Sequence, residues 1–412
     1  MQRYLTRYAE PRAQGLFLQA TAALQEKQYE RCVVVPMYDE PTSAVERIFQ
    51  GVAGTDTLAI VVVNAPEDAP RRAYTASLEL VSSIARSAPI DVFTVDCVST
   101  PLPAATAVGE ARKIGSDIAL YLHTAGLVKS PWLYQTDADA QLPADYFDTH
   151  LPRKGAVVFG HTHHSPDPSV QRAADLYDLH MAYYVAGLSW AGSPFAYPTL
   201  GSTIAVHSDS YASVRGYPKR NAAEDFYLLN KVAKVHGVTH IPHLVIQLLA
   251  RPSHRVPFGT GPALEKIVED LHTDPSAQFY KSYHWSSFQL LHRALNLLAN
   301  FADAPEKFEA DQVWASQANN PAQQLLLKLG FERASRHLFR QYKQAQQRHR
   351  SLREWFDAGK TLRFVHAARH YHPDQPLLRT VGQLPPSITG QLPQHFASRP
   401  LERSPNRSKS DG

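Results

Sequence analysis

Cysteine is scarce in this chain. Only Cys32 and Cys97 occur among 412 residues, and both sit in apolar, strand-like runs. A disulfide framework is therefore excluded as the source of stability, and a reducing, cytoplasmic compartment is the expectation. An excess of one charge is lacking too: 42 Lys and Arg stand against 38 Asp and Glu, a formal net charge of +4. That balance gives no electrostatic case for nucleic acid as a partner. Nor is there a run suited to crossing a bilayer. Residues 181–206 carry no formal charge, but Pro194, Pro198, three glycines and several hydroxyl side chains interrupt them. The opening stretch MQRYLTRYAEPRAQG has no continuous apolar core of the signal-peptide kind. The chain reads as soluble, or at most peripheral at the inner face of a membrane. At 44% apolar and 19% charged residues it can bury a large core, enough for one large domain and an appendage.

What is present has a rhythm. Leu16, Ala20, Ala23 and Leu24 recur at helical spacing and predict a lead-in helix within 15–30. Cys32-Val33-Val34-Val35-Pro36 then reads as a short strand buried on both faces, ending in Met37-Tyr38-Asp39-Glu40-Pro41, with Thr42 and Ser43 as helix caps. Residues 58–63 form a second such strand, ending at Asn64, and a helix follows over 72–86. Val92-Phe93-Thr94-Val95-Asp96 is a third, with a helix over 108–120. Alternation of this kind predicts an α/β fold with a mostly parallel, Rossmann-like sheet flanked by helices. In such sheets ligands sit beyond the carboxyl ends of the strands, where the polar residues of this chain collect.

The fourth strand, Trp132-Leu133-Tyr134-Gln135, runs into Thr136-Asp137-Ala138-Asp139. In an extended segment, residues i and i+2 share a face, so Asp137 and Asp139 are expected to converge on one cation. Hard divalent ions such as Mg²⁺ take one or two carboxylates and complete their shell with phosphate and water. The plain alternative is a polar turn after a buried strand. Further on, Ala223-Glu224-Asp225-Phe226 opens a helix that Asn221 is placed to cap, and there the plain reading is compensation of the helix dipole. A cationic loop rich in Gly and Pro, 251–262, follows an apolar run at 241–250; such loops often act as lids.

Together these stretches resemble family 2 glycosyltransferases of the GT-A fold, over roughly residues 31–262. Val33-Val34-Val35-Pro36-Met37-Tyr38-Asp39-Glu40 resembles the opening strand with its Pro-x-Tyr/Phe-Asn-Glu end, and Ala111-Arg112-Lys113 the Ala-Arg-Asn-like helix beside base and ribose. Thr136-Asp137-Ala138-Asp139 resembles the metal-binding Asp-x-Asp motif, and Glu224-Asp225 the later Glu-Asp motif. The resemblance implies transfer of a sugar from a nucleotide-diphosphate donor to an acceptor hydroxyl, metal-dependent and inverting. Pro36, Tyr38, Glu40, Asn64, Arg112, Lys113, Asp137 and Arg255 would hold the donor. Asp137, Asp139 and His254 would hold Mg²⁺ or Mn²⁺. Asp225 would be the general base, with Glu224 beside it. Asn64 departs from the acidic residue that often reads the base. No Gln-x-x-Arg-Trp follows Asp225, which argues against a processive synthase.

Two other readings compete. A non-catalytic nucleotide-sugar-binding protein would keep the fold without turnover. Gly160-His161-Thr162-His163 matches a metal motif of calcineurin-like phosphoesterases, but the Asp-x-His, Gly-Asp-x-x-Asp and Gly-Asn-His segments that should precede it are missing. His366, His370 and His372 form a weaker metal candidate, for which a solvated helix end is the plain reading. The expected organisation is a helical lead-in (1–30), a glycosyltransferase domain (31–262), a helical C-terminal extension (263–382) and a disordered tail (383–412). Within the extension, helices are expected at 263–272, 277–301 and 321–357. Residues 333–356 read as one amphipathic helix, with Leu338, Tyr342, Ala345, Leu352 and Phe356 on its apolar side. Its basic side, Arg333, Arg336, Arg340 and Lys343, would suit an anionic membrane or a phosphate-bearing acceptor.

Overall fold

Continuous apolar runs need cover on both faces, and here they receive it in one eight-stranded sheet. The computed structural model describes residues 1–25, 27–251, 259–305, 320–382, 384–389 and 392. Its strands are β1 (Arg31–Met37), β2 (Thr57–Pro66), β3 (Asp91–Leu102), β4 (Trp132–Gln135), β5 (Ala140–Gln141), β6 (Ala156–His164), β7 (Ile204–His207) and β8 (Val238–Leu249). They lie in the order β3-β2-β1-β4-β7-β6-β8-β5. The first four are mutually parallel, as are β6 and β8, whereas β7 runs antiparallel to both of its neighbours and β5 antiparallel to β8. Val33, Val34, Val35 and the run from Leu58 to Val63 are fully buried, as a two-sided sheet requires.

The chain forms two compact units, one from Met1–Pro166 with Tyr197–Pro262 and one from Asp167–Ala196 with Ala263–Gly412. The sheet belongs wholly to the first. Its central helix, Ala107–Thr124, packs against β1 and β2. The approach is close because Gly115 has no side chain: a methyl there would stand 2.4 Å from Val34 Cγ1 and 3.0 Å from Val62 Cγ2. Two N-terminal helices, Gln2–Arg7 and Pro11–Ala23, are fastened to this helix through the fully buried Asp117. Its Oδ1 accepts from Tyr4 Oη at 2.6 Å and Tyr211 Oη at 3.0 Å, and its Oδ2 from Glu10 N at 2.7 Å and Lys113 Nζ at 2.9 Å. A buried carboxylate is tolerated when it is matched in this way. The lead-in helix thus occupies 11–23 rather than 15–30.

In the second unit, Trp285–Asp303 packs against Pro168–Ala191, Pro321–Lys328, Ala345–Trp355 and Ala358–Ala368. It starts later than the expected 277. The single helix expected over 333–356 is two, Phe331–Gln341 and Ala345–Trp355. Between them Tyr342 and Gln344 are extended, and the buried Arg348 donates to the freed carbonyls of Tyr342 at 3.1 Å and Lys343 at 2.7 Å. Leu338, Leu352 and Phe356 are buried, while Arg333, Arg336, Arg340 and Lys343 are exposed. His366 hydrogen-bonds Tyr283 Oη at 2.9 Å and His372 stacks on His284, so the two histidines are engaged separately. Among the described residues no helix is long and apolar enough to cross a membrane. The expected tail lies outside the described residues apart from 384–389 and 392.

Candidate active site

The carboxyl ends of β1, β2 and β4 open onto a cavity of about 970 Å³ lined by residues of the first unit. Pro36, Tyr38 and Glu40 come from the end of β1, Asn64 and Pro66 from β2, and Asp137 and Asp139 from the turn after β4. Pro66, Ala69, Pro70, Ala73, Ala104, Ala107 and Val108 supply apolar lining, and Asn64 is a polar lining residue only 4% exposed. Two non-glycine residues beside the acidic motifs hold left-handed backbone: Asp39 at φ 51° and Ala223 at φ 58°. Conformations of this kind cost free energy and tend to cluster at functional sites.

Asp137 and Asp139 both line the cavity, but not as alternate residues of a strand. β4 ends at Gln135, and 136–139 are not strand; Ala140 N donates to Asp137 O at 3.1 Å and closes a tight turn. The turn is held in place by Leu249 N, which donates to Asp139 O at 2.8 Å, and by Arg47 Nη2, which donates to Ala138 O at 2.6 Å. Burial pushes the Asp139 carboxyl up to about 6, and Asp137 and Glu40 push the same way, against His163 and Arg251. Two carboxylates placed like this suit a hard divalent ion, because a cation beside them offsets both the burial and the mutual repulsion that raise Asp139.

Arg112 joins the two acidic motifs. It is 3% exposed; its Nη2 lies 2.5 Å from Asp137 Oδ1, its Nε 2.8 Å from Glu224 Oε1, and its Nη1 3.4 Å from Gly201 O. Glu224 is therefore more than dipole compensation: it is buried and ion-paired. The next carboxyl, Asp225, is pushed up to about 7 by burial, then by Glu224, with Arg112 and the Phe226 N–H pulling it down. The Asp137 charge also raises it, which places both motifs within electrostatic reach of each other.

Pro36, Tyr38, Glu40, Asn64, Asp137 and Asp139 are thus gathered around one cavity. Arg112 and Glu224 are connected to it through Asp137, and neither they nor Asp225 line it. Lys113 points elsewhere, into the Asp117 network. Asn221 lines the cavity, and the N-cap position it was expected to fill belongs to Ala223. His254 and Arg255 lie outside the described residues. Gly160-His161-Thr162-His163 is the end of β6, its imidazole rings 5.7 Å apart and edge-on. Sequence reasoning missed Arg251, which pairs with the buried Glu40, and Arg72, which lines the cavity. Arg251 opens the cationic loop at 251–262, but its pairing with Glu40 spans 211 positions and has no local signal.

No protein-family model matches the chain, and no curated protein does. Among solved structures, the mannosyltransferase PcManGT from Pyrobaculum calidifontis in complex with GDP-Man and Mn²⁺ is similar at 15% identity and a TM-score of 0.34. The alignment covers 87% of this chain and 94% of that one. A likeness this loose carries no argument about chemistry.

Proposed function

We propose that the first unit is a non-processive glycosyltransferase that moves a sugar from a nucleotide-diphosphate donor to an acceptor hydroxyl by a single inverting displacement. The observation that carries this reading is the gathering of Glu40, Asn64, Asp137 and Asp139 around one cavity at the carboxyl ends of parallel strands, with Glu224 tied in through Arg112. Nucleotides bind at this end of such sheets. Asp137 and Asp139 would hold a Mg²⁺ or Mn²⁺ ion, which when bound supplies Lewis-acid stabilisation to the leaving diphosphate. Asn64 would offer a donor and an acceptor to the nucleobase from a buried position in the lining. The acceptor oxygen forms its bond to the anomeric carbon as the bond to the diphosphate oxygen breaks. The hydroxyl proton passes to the Asp225 carboxylate, whose raised pKa fits it to accept near neutral pH.

The test is turnover. A panel of nucleotide sugars is incubated with the protein and Mn²⁺, without acceptor, and release of nucleoside diphosphate is followed. Slow hydrolysis of one donor class, abolished in Asp225→Asn, supports the transferase. Tight binding of a donor with no hydrolysis and no transfer to any acceptor would instead identify a non-catalytic binding protein.

A further inference from the structure

We infer that Arg112 makes cation binding conditional on the nucleotide: its ion pair with Asp137 neutralises that carboxylate and so keeps a free divalent ion from settling there without a nucleotide. The inference rests on the reading of Asp137 and Asp139 as cation ligands. A guanidinium does not lose its proton under any ordinary condition, so the positive charge beside Asp137 is permanent. It is also fixed in place. The Gly201 backbone closes on the head group so tightly that a methyl at 201 would stand 2.1 Å from Nη2. Arg112 cannot swing aside without leaving the buried Glu224 with an uncompensated charge, which is costly.

These constraints decide how an ion can bind. A cation on the other oxygen of Asp137 would sit one carboxylate away from Arg112, where like charges repel. In addition, Asp137 Oδ1 is already engaged at 2.5 Å, so the Asp137–Asp139 pair offers a cation fewer free oxygens than its sequence implies. A nucleoside diphosphate changes both terms at once, since it brings several anionic oxygens that act as ligands and offset the arginine. Cation and nucleotide should therefore bind synergistically, each weakly without the other, and the synergy should depend on the charge at position 112.

The experiment measures Mn²⁺ binding by the loss of its free-ion electron paramagnetic resonance signal beyond that caused by the same nucleotide without protein, using the full chain. Titrations are run alone and with saturating GDP, UDP, ADP, CDP or dTDP. The variants are Arg112→Gln, Arg112→Lys and the double variant Arg112→Gln with Glu224→Gln, which removes both members of the buried pair and so leaves no uncompensated charge at 224. In the wild type, one nucleotide should tighten Mn²⁺ binding at least 10-fold. Arg112→Gln and the double variant should bind Mn²⁺ alone at least 10-fold more tightly than wild type, so that the nucleotide effect shrinks. Arg112→Lys should bind Mn²⁺ alone as weakly as wild type. If the neutral variants bind Mn²⁺ alone no better while wild type still shows the nucleotide effect, Arg112 is only a structural strut and the inference falls. If wild type binds no Mn²⁺ with any nucleotide, the transferase reading itself fails and takes the inference with it.

Discussion

At the scale of single residues, Asp225 is where environment and chemistry meet. Its carboxyl is pushed up to about 7, from burial first and the adjacent Glu224 second. If Asp225 takes the acceptor's proton, only the ionised form works, so kcat should rise with pH through about 7 and flatten above it. Asp225→Asn should lower kcat by about 10²–10⁴ and leave donor affinity nearly unchanged, because a base acts mainly in the transition state. Equal losses in binding and turnover would make the residue structural. The same shift has a consequence for stability. The folded-state pKa is above that of an unfolded Asp, about 4, so the contribution is full below that value and lost as pH rises through about 7. Asp225→Asn should therefore gain thermal stability relative to wild type between pH 4 and 8. A constant difference across that range would contradict the shift.

At the scale of elements, the helix Ala107–Thr124 holds the site together. Its Gly115 lets it lie close on β1 and β2, its Arg112 reaches both acidic motifs, and its Asp117 gathers Tyr4, Glu10, Lys113 and Tyr211. Asp117→Ala would leave Lys113 buried without its partner, and breaking such a pair costs about 3–5 kcal/mol. Denaturant unfolding should show that loss; a change below about 1 kcal/mol would mean the N-terminal helices do not depend on Asp117. Much of this level is legible in the sequence. Strands buried on both faces must be continuously apolar, so 32–36 and 58–63 stand out; 92–96 alternates instead, as suits the strand at the sheet edge, and the helices expected at 72–86 and 108–120 are found at Arg71–Ser87 and Ala107–Thr124. What escapes the sequence depends on distant partners. The 333–356 pattern is one helix by periodicity, yet Arg348 satisfies the carbonyls of a break that no local residue announces. Arg112 is marked by its motif, but its pairing with Glu224 spans 112 positions and only the fold reveals it.

At the scale of the whole molecule, the candidate site is confined to one unit. Every described residue lining the cavity comes from Met1–Pro166 or Tyr197–Pro262, although the chain leaves that unit at Asp167 and returns at Tyr197. The polar ends of β1, β2 and β4 face one space because parallel strands bring their carboxyl ends to the same edge. The central claim is that this space holds a nucleotide diphosphate through a cation at Asp137 and Asp139. Its most direct test is calorimetric titration of the protein with GDP, UDP, ADP, CDP and dTDP, first with Mn²⁺ and then with EDTA. The account predicts that one nucleotide binds in Mn²⁺, that its affinity drops at least 10-fold in EDTA, and that Asp137→Asn and Asp139→Asn remove the difference while remaining folded. Equal affinity in Mn²⁺ and in EDTA would contradict it.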